Sequence, residues 1–355
     1  MKKKVAIIGI VGVPACYGGF ETLVENLLSN SNGKIDYTVF CSLKSYSGKK
    51  ILYKGATLKY INLYANGLQS IIYDGIALFR SFSFDAVIVL GCSGAIFIPF
   101  FRKFFNGMII LNIDGAEWRR NKWSFGVRLL LRFFEFLAIQ YADIIIGDNQ
   151  VIVDSIYSKY GKNAKLIEYG GDNSFELIQN PQFDNILPKY YAITICRIVP
   201  ENNIKMILET FSHINSIPYV IVGNWDSTSY GRSLKDNFDS VDSIYMLDPI
   251  YDNNQLNSLR SKASLYIHGH SAGGTNPSLV EAMSFGLPVF AYKCDYNYET
   301  TEGKCMYFKN SFELLELLRG TNEEELRKIG TAMAEIAKRR YTWKLISKLY
   351  EEILI

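Results

Sequence analysis

Residues that ligate metals or form disulfides are scarce in this sequence. Its 355 residues include only three histidines and six scattered cysteines, with no Cys-x-x-Cys pair and no Asp-x-Asp triplet. Metal ligation therefore has little support, and the separated cysteines favour core packing in a reducing compartment. The net charge of +3 is too small to indicate nucleic-acid binding by itself. We expect no metal site, no cofactor and no nucleic-acid partner.

A long apolar run is also missing. The stretch Ala86–Phe101 carries no charge, but it is shorter than the ~20 residues that a spanning helix needs. It is also interrupted by Gly91, Gly94 and Pro99. A buried strand, a turn of small residues and a short helix explain it better, so no transmembrane segment is expected.

The first residues combine three lysines with an apolar run, Val5–Val13, as an export signal does. Gly9 and Gly12 interrupt that run, and Pro14 precedes the candidate cleavage site. A helical spacing follows directly, with apolar residues at Phe20, Leu23, Val24, Leu27 and Leu28. We interpret the segment as a buried strand, a glycine-rich turn and a helix.

Short apolar runs rich in β-formers alternate with helical patterns along the chain, which is typical of a parallel sheet covered on both faces. A polar, proline-containing connector divides the alternation into two series. The sequence therefore predicts an α/β protein with two Rossmann-like domains, residues 1–178 and 189–340, and an amphipathic helix over residues 341–355. Domains facing a central cleft would present to it the loops that follow their strands. The predicted strands are Val5–Ile10, Tyr37–Cys41, Leu58–Asn62, Ala86–Leu90, Met108–Ile113, Asp143–Ile146, Lys165–Glu168, Tyr190–Cys196, Tyr219–Val222, Ile244–Leu247, Leu265–His268 and Val289–Ala291.

The first candidate loop, Gly12–Gly19, joins a predicted strand to a predicted helix. Backbone N–H groups and the helix dipole favour an anion such as phosphate at this kind of junction. The loop is not Gly-x-Gly-x-x-Gly, and no acidic residue is in register for a dinucleotide ribose. By itself the motif fits a tight turn equally well.

A second candidate, HGHSAGGTNPSLVEAM, begins at the end of the predicted strand Leu265–His268. The carboxylate of Glu281, in the first turns of the helix, could accept hydrogen bonds from two vicinal hydroxyls such as those of ribose. Amides of Gly274, Thr275 and Asn276 could meet phosphate oxygens. The alternative is that Glu281 is an ordinary surface acid favoured by the helix dipole.

A third candidate is Arg197, which directly follows the strand Tyr190–Cys196 in CRIVPENNI. A cation at the cleft edge, opposite a glycine-rich loop, suits a diphosphate. Alone, it would more often be a surface arginine.

Together the three motifs resemble the retaining glycosyltransferases of family 4, which have the GT-B fold, over essentially the whole chain. YGGFE is similar to that family's first glycine-rich loop, CRIVPENNI to its arginine-containing loop, and GGTNPSLVEAM…GLPV to its E-x7-E segment. YTWKLISKLYEEIL is similar to its crossover helix, which packs back on the first domain. IVGVPACYGGFETLVENL, NIDGAEWRRNKWS and HGHSAGGTNPSLVEAM look most like bacterial rhamnosyltransferases of cell-surface polysaccharide synthesis.

The resemblance implies a donor site in which Glu281 binds the nucleotide ribose and Arg197 the diphosphate. Two family positions differ here: Gly273 stands where the first glutamate of E-x7-E would be, and Asn202 where a lysine is usual. Neither residue supplies the missing charge. His268, His270 or Asn276 could compensate, and the change fits an unusual donor such as a deoxysugar. The predicted donor-binding residues are Gly18, Gly19, Arg197, Asn202, His270, Gly273, Gly274, Thr275, Asn276 and Glu281.

Asp114 and Glu117 follow the strand Met108–Ile113, where the resemblance places acceptor recognition, and they are the candidate catalytic residues. Either could position an acceptor hydroxyl, or both could pair with neighbouring arginines in a structural network. The resemblance implies a front-face reaction in which the leaving phosphate helps to take the acceptor proton. No dedicated base is then needed.

Cations and aromatic residues are interleaved in FIPFFRKFF and RRNKWSFGVRLLLRFFEF. Such a surface suits an anionic membrane; the alternative is a core helix with solvated cations. We expect a cytoplasmic protein bound peripherally to the inner face of the bacterial cell membrane.

The sequence thus predicts a metal-independent glycosyltransferase that moves L-rhamnose from dTDP-rhamnose onto a lipid-diphosphate-linked saccharide. The nearest alternative is the same fold with a UDP- or GDP-hexose donor. An inactive nucleotide-sugar-binding subunit belongs to a different class, and a dinucleotide oxidoreductase is a more distant alternative.

Overall fold

The computed structural model describes residues 2–16, 18–113, 115, 118, 124–173, 183, 186–214 and 216–355. The chain divides into two compact units. The first unit contains residues 1–169 and 343–355, and the second contains residues 170–342. Each unit is a layered α/β structure with its own sheet.

The sheet of the first unit has eight strands: β1 (Lys3–Ile8), β2 (Ile35–Ser42), β3 (Leu52–Tyr53), β4 (Ala56–Ile61), β5 (Ala86–Leu90), β6 (Met108–Ile113), β7 (Ile144–Gly147) and β8 (Lys165–Leu166). Their order across the sheet is β3-β4-β2-β1-β5-β6-β7-β8. Neighbouring strands are parallel except for the short hairpin of β3 and β4. The central strand β1 is fully buried from Val5 to Ile8, which explains its continuous apolar run.

Helices of the first unit are α1 (Gly19–Ser29), α2 (Gln69–Phe79), α3 (Ile98–Arg102), α4 (Phe125–Tyr141), α5 (Gln150–Tyr160) and α13 (Trp343–Leu354). The helix α13 belongs to this unit although it follows the whole second unit in the sequence. It packs against α1 and buries the apolar side of its helical repeat, including Trp343, Ile346 and Tyr350. The Tyr169 and Trp343 rings lie edge to face with centroids 4.7 Å apart.

The sheet of the second unit has six strands: β9 (Ala192–Ile195), β10 (Tyr219–Val222), β11 (Ile244–Leu247), β12 (Leu265–His268), β13 (Val289–Tyr292) and β14 (Met306–Phe308). They are all parallel, in the order β11-β10-β9-β12-β13-β14. The helices between and after them are α6 (Ile204–Phe211), α7 (Ser229–Phe238), α8 (Asn253–Lys262), α9 (Pro277–Ser284), α10 (Asp295–Thr300), α11 (Ser311–Gly320) and α12 (Glu323–Arg340).

Each strand predicted from the sequence is present, with ends that shift by a few residues. The first one ends at Ile8 instead of Ile10, because Gly9 turns the backbone with a φ of 90°. Two short strands, β3 and β14, were not predicted. Among the described residues, no helix is both long and apolar enough to cross a membrane.

Candidate functional site

In the second unit, the loops that follow the adjacent strands β9 and β12 are hydrogen-bonded to each other. The Asn202 side chain donates to the Arg197 carbonyl oxygen at 2.6 Å, and its Oδ1 lies 2.6 Å from Nδ1 of His270. Asn203 Nδ2 donates to the Gly269 carbonyl oxygen at 2.8 Å. Asn202 is only 6% exposed, so its amide holds the two loops together where the family resemblance predicts a lysine.

The Asn202 amide also fixes the orientation of the His270 ring. Because Asn202 Nδ2 faces a carbonyl oxygen, its Oδ1 is the atom that accepts the hydrogen of His270 Nδ1. Gly273 has a φ of 95°, and a β-carbon added at this position would lie 3.5 Å from Nε2 of His270. The imidazole therefore borders the space where the family resemblance predicts a glutamate side chain.

The loop ends in a capped helix, α9. Oδ1 of Asn276 accepts hydrogen bonds from the backbone nitrogen and the hydroxyl of Ser278, both at 3.0 Å, which is the usual role of an N-cap residue. Gly274 and Thr275 are buried directly before this cap. The Asn276 oxygen is thus used within the protein.

Glu281 lies in the second turn of α9 with its carboxylate 16% exposed. Its Oε2 contacts Nη2 of Arg260 in an ion pair, and its Oε1 accepts a hydrogen bond of 2.7 Å from Asn173. Each carboxylate oxygen can accept more than one hydrogen bond, so both can still receive a ligand hydroxyl. The interpretation of Glu281 as an ordinary surface acid is wrong, because the side chain is largely buried and paired.

Neither partner of Glu281 was identified from the sequence. Arg260 lies on α8 and is 3% exposed, whereas Asn173 follows the crossing from the first unit into the second. They stand 21 and 108 residues from Glu281. Because both contacts are tertiary, no local sequence pattern marks either residue as a partner of Glu281.

Arg197 is exposed at the end of β9. Its guanidinium has no hydrogen-bond or ion-pair partner among the residues that the structure describes. It is therefore available to an anionic ligand near the His270 loop.

His268, by contrast, cannot replace the missing lysine. It is 3% exposed at the end of β12, and burial, with a smaller effect from His270, lowers its pKa well below the ordinary value. The imidazole is neutral near pH 7, so it supplies no positive charge for a diphosphate.

In the first unit, the glycine-rich loop already binds carboxylates of its own helix. Gly18 is the N-cap residue of α1 and Gly19 its first residue. The carboxylate of the buried Glu21 accepts a hydrogen bond from the Val11 amide at 2.8 Å, and that of Glu25 accepts one from the Ala15 amide at 2.7 Å. The amide of Ala15, within the candidate loop Gly12–Gly19, and that of Val11, just before it, are thus occupied.

The β3–β4 hairpin holds Glu25 in place. The Tyr53 hydroxyl donates a hydrogen bond to the Glu25 carboxylate at 2.5 Å, and the Lys54 ammonium donates another at 3.0 Å. Burial opposes ionisation of Glu25, but these bonds and the one from Ala15 lower its pKa below the ordinary value. The carboxylate is therefore ionised near pH 7 and fixes the loop.

The candidate catalytic residues Asp114 and Glu117 lie outside the described residues. In the described part of the chain, no group of three or more acidic, histidine or cysteine side chains could hold a metal ion.

The described part of the predicted basic–aromatic surface consists of α3, the residues directly after it, and α4; residues 119–123 of that prediction lie outside the described residues. Phe104, Phe125 and Leu129 are 63%, 85% and 61% exposed. Arg102, however, donates to both carboxylate oxygens of Asp143 at 3.0 Å, so it is a structural cation. The helix α4 buries Phe134, Ala138 and Ile139 on one side, so both a membrane-facing surface and the alternative of a core helix with solvated cations stay open.

Two models of known protein families match this sequence, each over a different part of the chain. Residues 2–172 match the family model described as "Domain of unknown function (DUF1972)". Residues 178–303 match the model described as "Glycosyl transferases group 1". No curated protein matches the sequence.

Solved structures share the fold over nearly the full chain. Sucrose-phosphate synthase from Thermosynechococcus elongatus is 15% identical, with 99% of each chain covered and a TM-score of 0.81. HepE from Anabaena, in complex with UDP-glucose, is 14% identical over 100% of this chain and 99% of its own, with a TM-score of 0.76. An E. coli structure described as trehalose-6-phosphate bound with UDP-2-fluoro glucose is 10% identical, covers 99% of both chains and has a TM-score of 0.74.

These similarities establish the architecture. The chain has an α/β fold of the GT-B type with two parallel-sheet, Rossmann-like domains. The fold class predicted from the sequence is confirmed.

Proposed function

We propose that this protein is a retaining glycosyltransferase that binds a nucleotide sugar in its second unit. Its acceptor is a lipid-diphosphate-linked saccharide, and its donor is dTDP-L-rhamnose. The observation that carries the proposal is the Glu281 carboxylate, which is oriented by Arg260 and Asn173 and keeps accepting capacity on both oxygens.

The Glu281 carboxylate suits the hydroxyls of a nucleoside sugar. Arg197, exposed and without a protein anion, suits the diphosphate. The interlocked loops after β9 and β12 would hold both groups at the carboxyl edge of one sheet, where α/β proteins bind ligands. Donor capture then needs little reorganisation of the protein.

A second candidate donor is a UDP-hexose, because HepE was crystallised with UDP-glucose. The two donors differ at the sugar of the nucleoside. Uridine has two vicinal hydroxyls, whereas thymidine has one, so a thymidine donor would give Glu281 a single hydroxyl to accept. The relative loss caused by Glu281→Ala for the two nucleotides therefore reports which donor the site fits.

The exposed side chains of α3 and α4 support a lipid-linked acceptor. A row of apolar side chains with nearby Lys103 and Arg132 combines insertion into the acyl region with attraction to anionic headgroups. We propose that this face holds the protein at the inner surface of the cell membrane, where a lipid-linked saccharide is accessible.

Calorimetry with donor, nucleoside diphosphate and nucleoside tests the donor site. Each charge-assisted hydrogen bond contributes roughly 1.5–3 kcal/mol, so loss of the single thymidine hydroxyl contact in Glu281→Ala should weaken donor binding by about one to two orders of magnitude. Glu281→Gln should lose less, because its amide oxygen still accepts. Arg197→Ala should weaken the donor and the diphosphate but leave the bare nucleoside almost unchanged.

Arg232, exposed on α7, provides the control substitution Arg232→Ala, which should bind all three ligands normally. Unchanged affinities in Glu281→Ala would remove the main support for a nucleotide-sugar site. Donor binding without turnover of any lipid-linked acceptor would favour the inactive binding subunit.

A further inference from the structure

Arg260 has an unusual position for an arginine. Its side chain is 3% exposed on α8, and the carboxylate of Glu281 is the only anion that contacts it among the described residues. Its other hydrogen bond is a long one, 3.4 Å, to Oδ1 of Asn257. Its Nε is buried without a hydrogen-bond partner in the described structure. Nearly all of the compensation for this buried charge therefore comes from Glu281.

A buried cation that costs desolvation is a poor way to gain stability, since apolar replacements of buried ion pairs are often neutral or stabilising. The pair does, however, constrain Glu281. Arg260 contacts one carboxylate oxygen and Asn173 the other, from two different segments. The carboxylate plane is therefore fixed before any ligand arrives.

We propose that Arg260 is a positioning residue for the nucleoside: it keeps the Glu281 carboxylate oriented so that it accepts ligand hydroxyls. Asn173 completes the orientation from the opposite oxygen. The inference rests on the proposed donor site and adds a residue that never contacts the donor itself.

The groups around Glu281 reach it from different elements. Arg260 reaches it from α8, and the uncharged Asn173 reaches it from the crossing segment. The Tyr266 hydroxyl on β12 interacts electrostatically with both members of the pair, and burial raises its pKa above the ordinary value, so it stays neutral. Without Arg260, the carboxylate keeps the hydrogen bond from Asn173 but loses the contact that fixes its other oxygen.

The experiment measures binding of uridine, thymidine and pyrophosphate at pH 7 in the wild type, Arg260→Met, Arg260→Lys and Asn173→Ala. Arg260→Met should bind nucleoside about ten- to a hundredfold more weakly than the wild type. Pyrophosphate affinity should not change, since Arg197 is untouched.

Arg260→Lys keeps a charge and should restore part of the nucleoside affinity. Asn173→Ala removes the hydrogen bond to Glu281 without leaving a buried charge, so it should weaken nucleoside binding several-fold in a folded protein. Lys262→Met, an exposed change on the same helix, is the matched control and should behave as wild type. The double variant Arg260→Met/Glu281→Met should regain thermal stability without regaining nucleoside binding.

The possible failures are distinct. If the wild-type protein binds none of the three ligands, both the proposed donor site and this inference are wrong. If Glu281→Ala loses nucleoside binding but Arg260→Met binds nucleoside with the wild-type affinity, only the positioning role is wrong. Should Arg260→Met not fold, normal nucleoside binding by both Arg260→Lys and Asn173→Ala would overturn the role equally.

Discussion

Gly171 packs so close to the main chain of Val280 that no β-carbon fits between them. A β-carbon on Gly171 would lie 2.5 Å from the carbonyl carbon of Val280 and 2.9 Å from the amide nitrogen of Glu281. The Gly171 amide donates to the Tyr341 carbonyl oxygen at 2.7 Å, which holds the segment from its other side. This approach places Asn173 within hydrogen-bond distance of Glu281.

Gly171→Ala should therefore displace the segment and weaken the Asn173–Glu281 contact. Overpacking of this kind costs about 1–3 kcal/mol, so we expect a lower melting temperature and weaker nucleoside binding together. Gly320→Ala is the control, because a β-carbon at Gly320 meets no atom within 4 Å. Equal behaviour of the two variants in thermal unfolding and calorimetry would contradict the tight packing.

Gly273→Glu should lower donor affinity, although it restores the family's glutamate. The backbone at Gly273 has a φ of 95°, a conformation that strains any L side chain, and the His270 ring borders the new β-carbon. Gly273→Ala should produce most of the same loss, because the strain comes from the β-carbon. Calorimetry with the donor distinguishes this from a functional replacement, in which Gly273→Glu would bind more tightly than Gly273→Ala.

Asp74 should make the first unit less stable as the pH rises. Burial raises the pKa of this carboxyl to about 7. Hydrogen bonds from Ser93 and Gly94 lower the pKa, but they offset only part of the effect of burial. The folded state therefore holds a proton that the unfolded state loses near pH 4. The resulting stabilisation is complete below that pH and declines by at most about 1.4 kcal/mol per pH unit until the pH passes about 7.

Asp74→Asn removes this titration. The melting temperature of the variant minus that of the wild type should therefore increase as the pH rises from 5 to 8. The exposed Asp36→Asn is the control and should follow wild type at each pH. A constant difference between Asp74→Asn and wild type across the range would show that Asp74 is ionised in the folded state.

The exposed face of α3 and α4 predicts binding to anionic vesicles that weakens in high salt. Each basic residue near such a surface contributes about 1 kcal/mol, so replacing Lys103 and Arg132 by serine should weaken co-sedimentation about thirtyfold. Arg102 is left intact because of its pair with Asp143. A matched control replaces Ile51 and Leu52, which are 78% and 64% exposed elsewhere in the first unit. Absent or salt-insensitive binding would contradict the membrane proposal.

The alternation of apolar runs predicts most of the fold because parallel strands are buried on both faces and leave a continuous signal. The strands β3 and β14 escape this reasoning, since two or three residues carry no period. β3 is also an edge strand whose Leu52 is largely exposed. Local patterns therefore reveal the sheet interiors but not these edge strands.

The candidate site is less predictable for a different reason. Arg197, His270 and Glu281 follow strands or begin helices, so motif and position identify them. Arg260 and Asn173 acquire their meaning from tertiary contacts that span 21 and 108 residues. The actual use of Asn202, to join two loops, likewise depends on a partner 68 residues away.

The membership of α13 in the first unit also imposes an order on folding during synthesis. Trp343, Ile346 and Tyr350 are buried in that unit, so its core stays incomplete until the ribosome has translated the whole second unit. Domains often fold in the order in which they emerge, but here the second unit can finish first. Throughout that interval the surface of α1 that receives α13 stays uncovered on the nascent chain, where it would be open to chaperones.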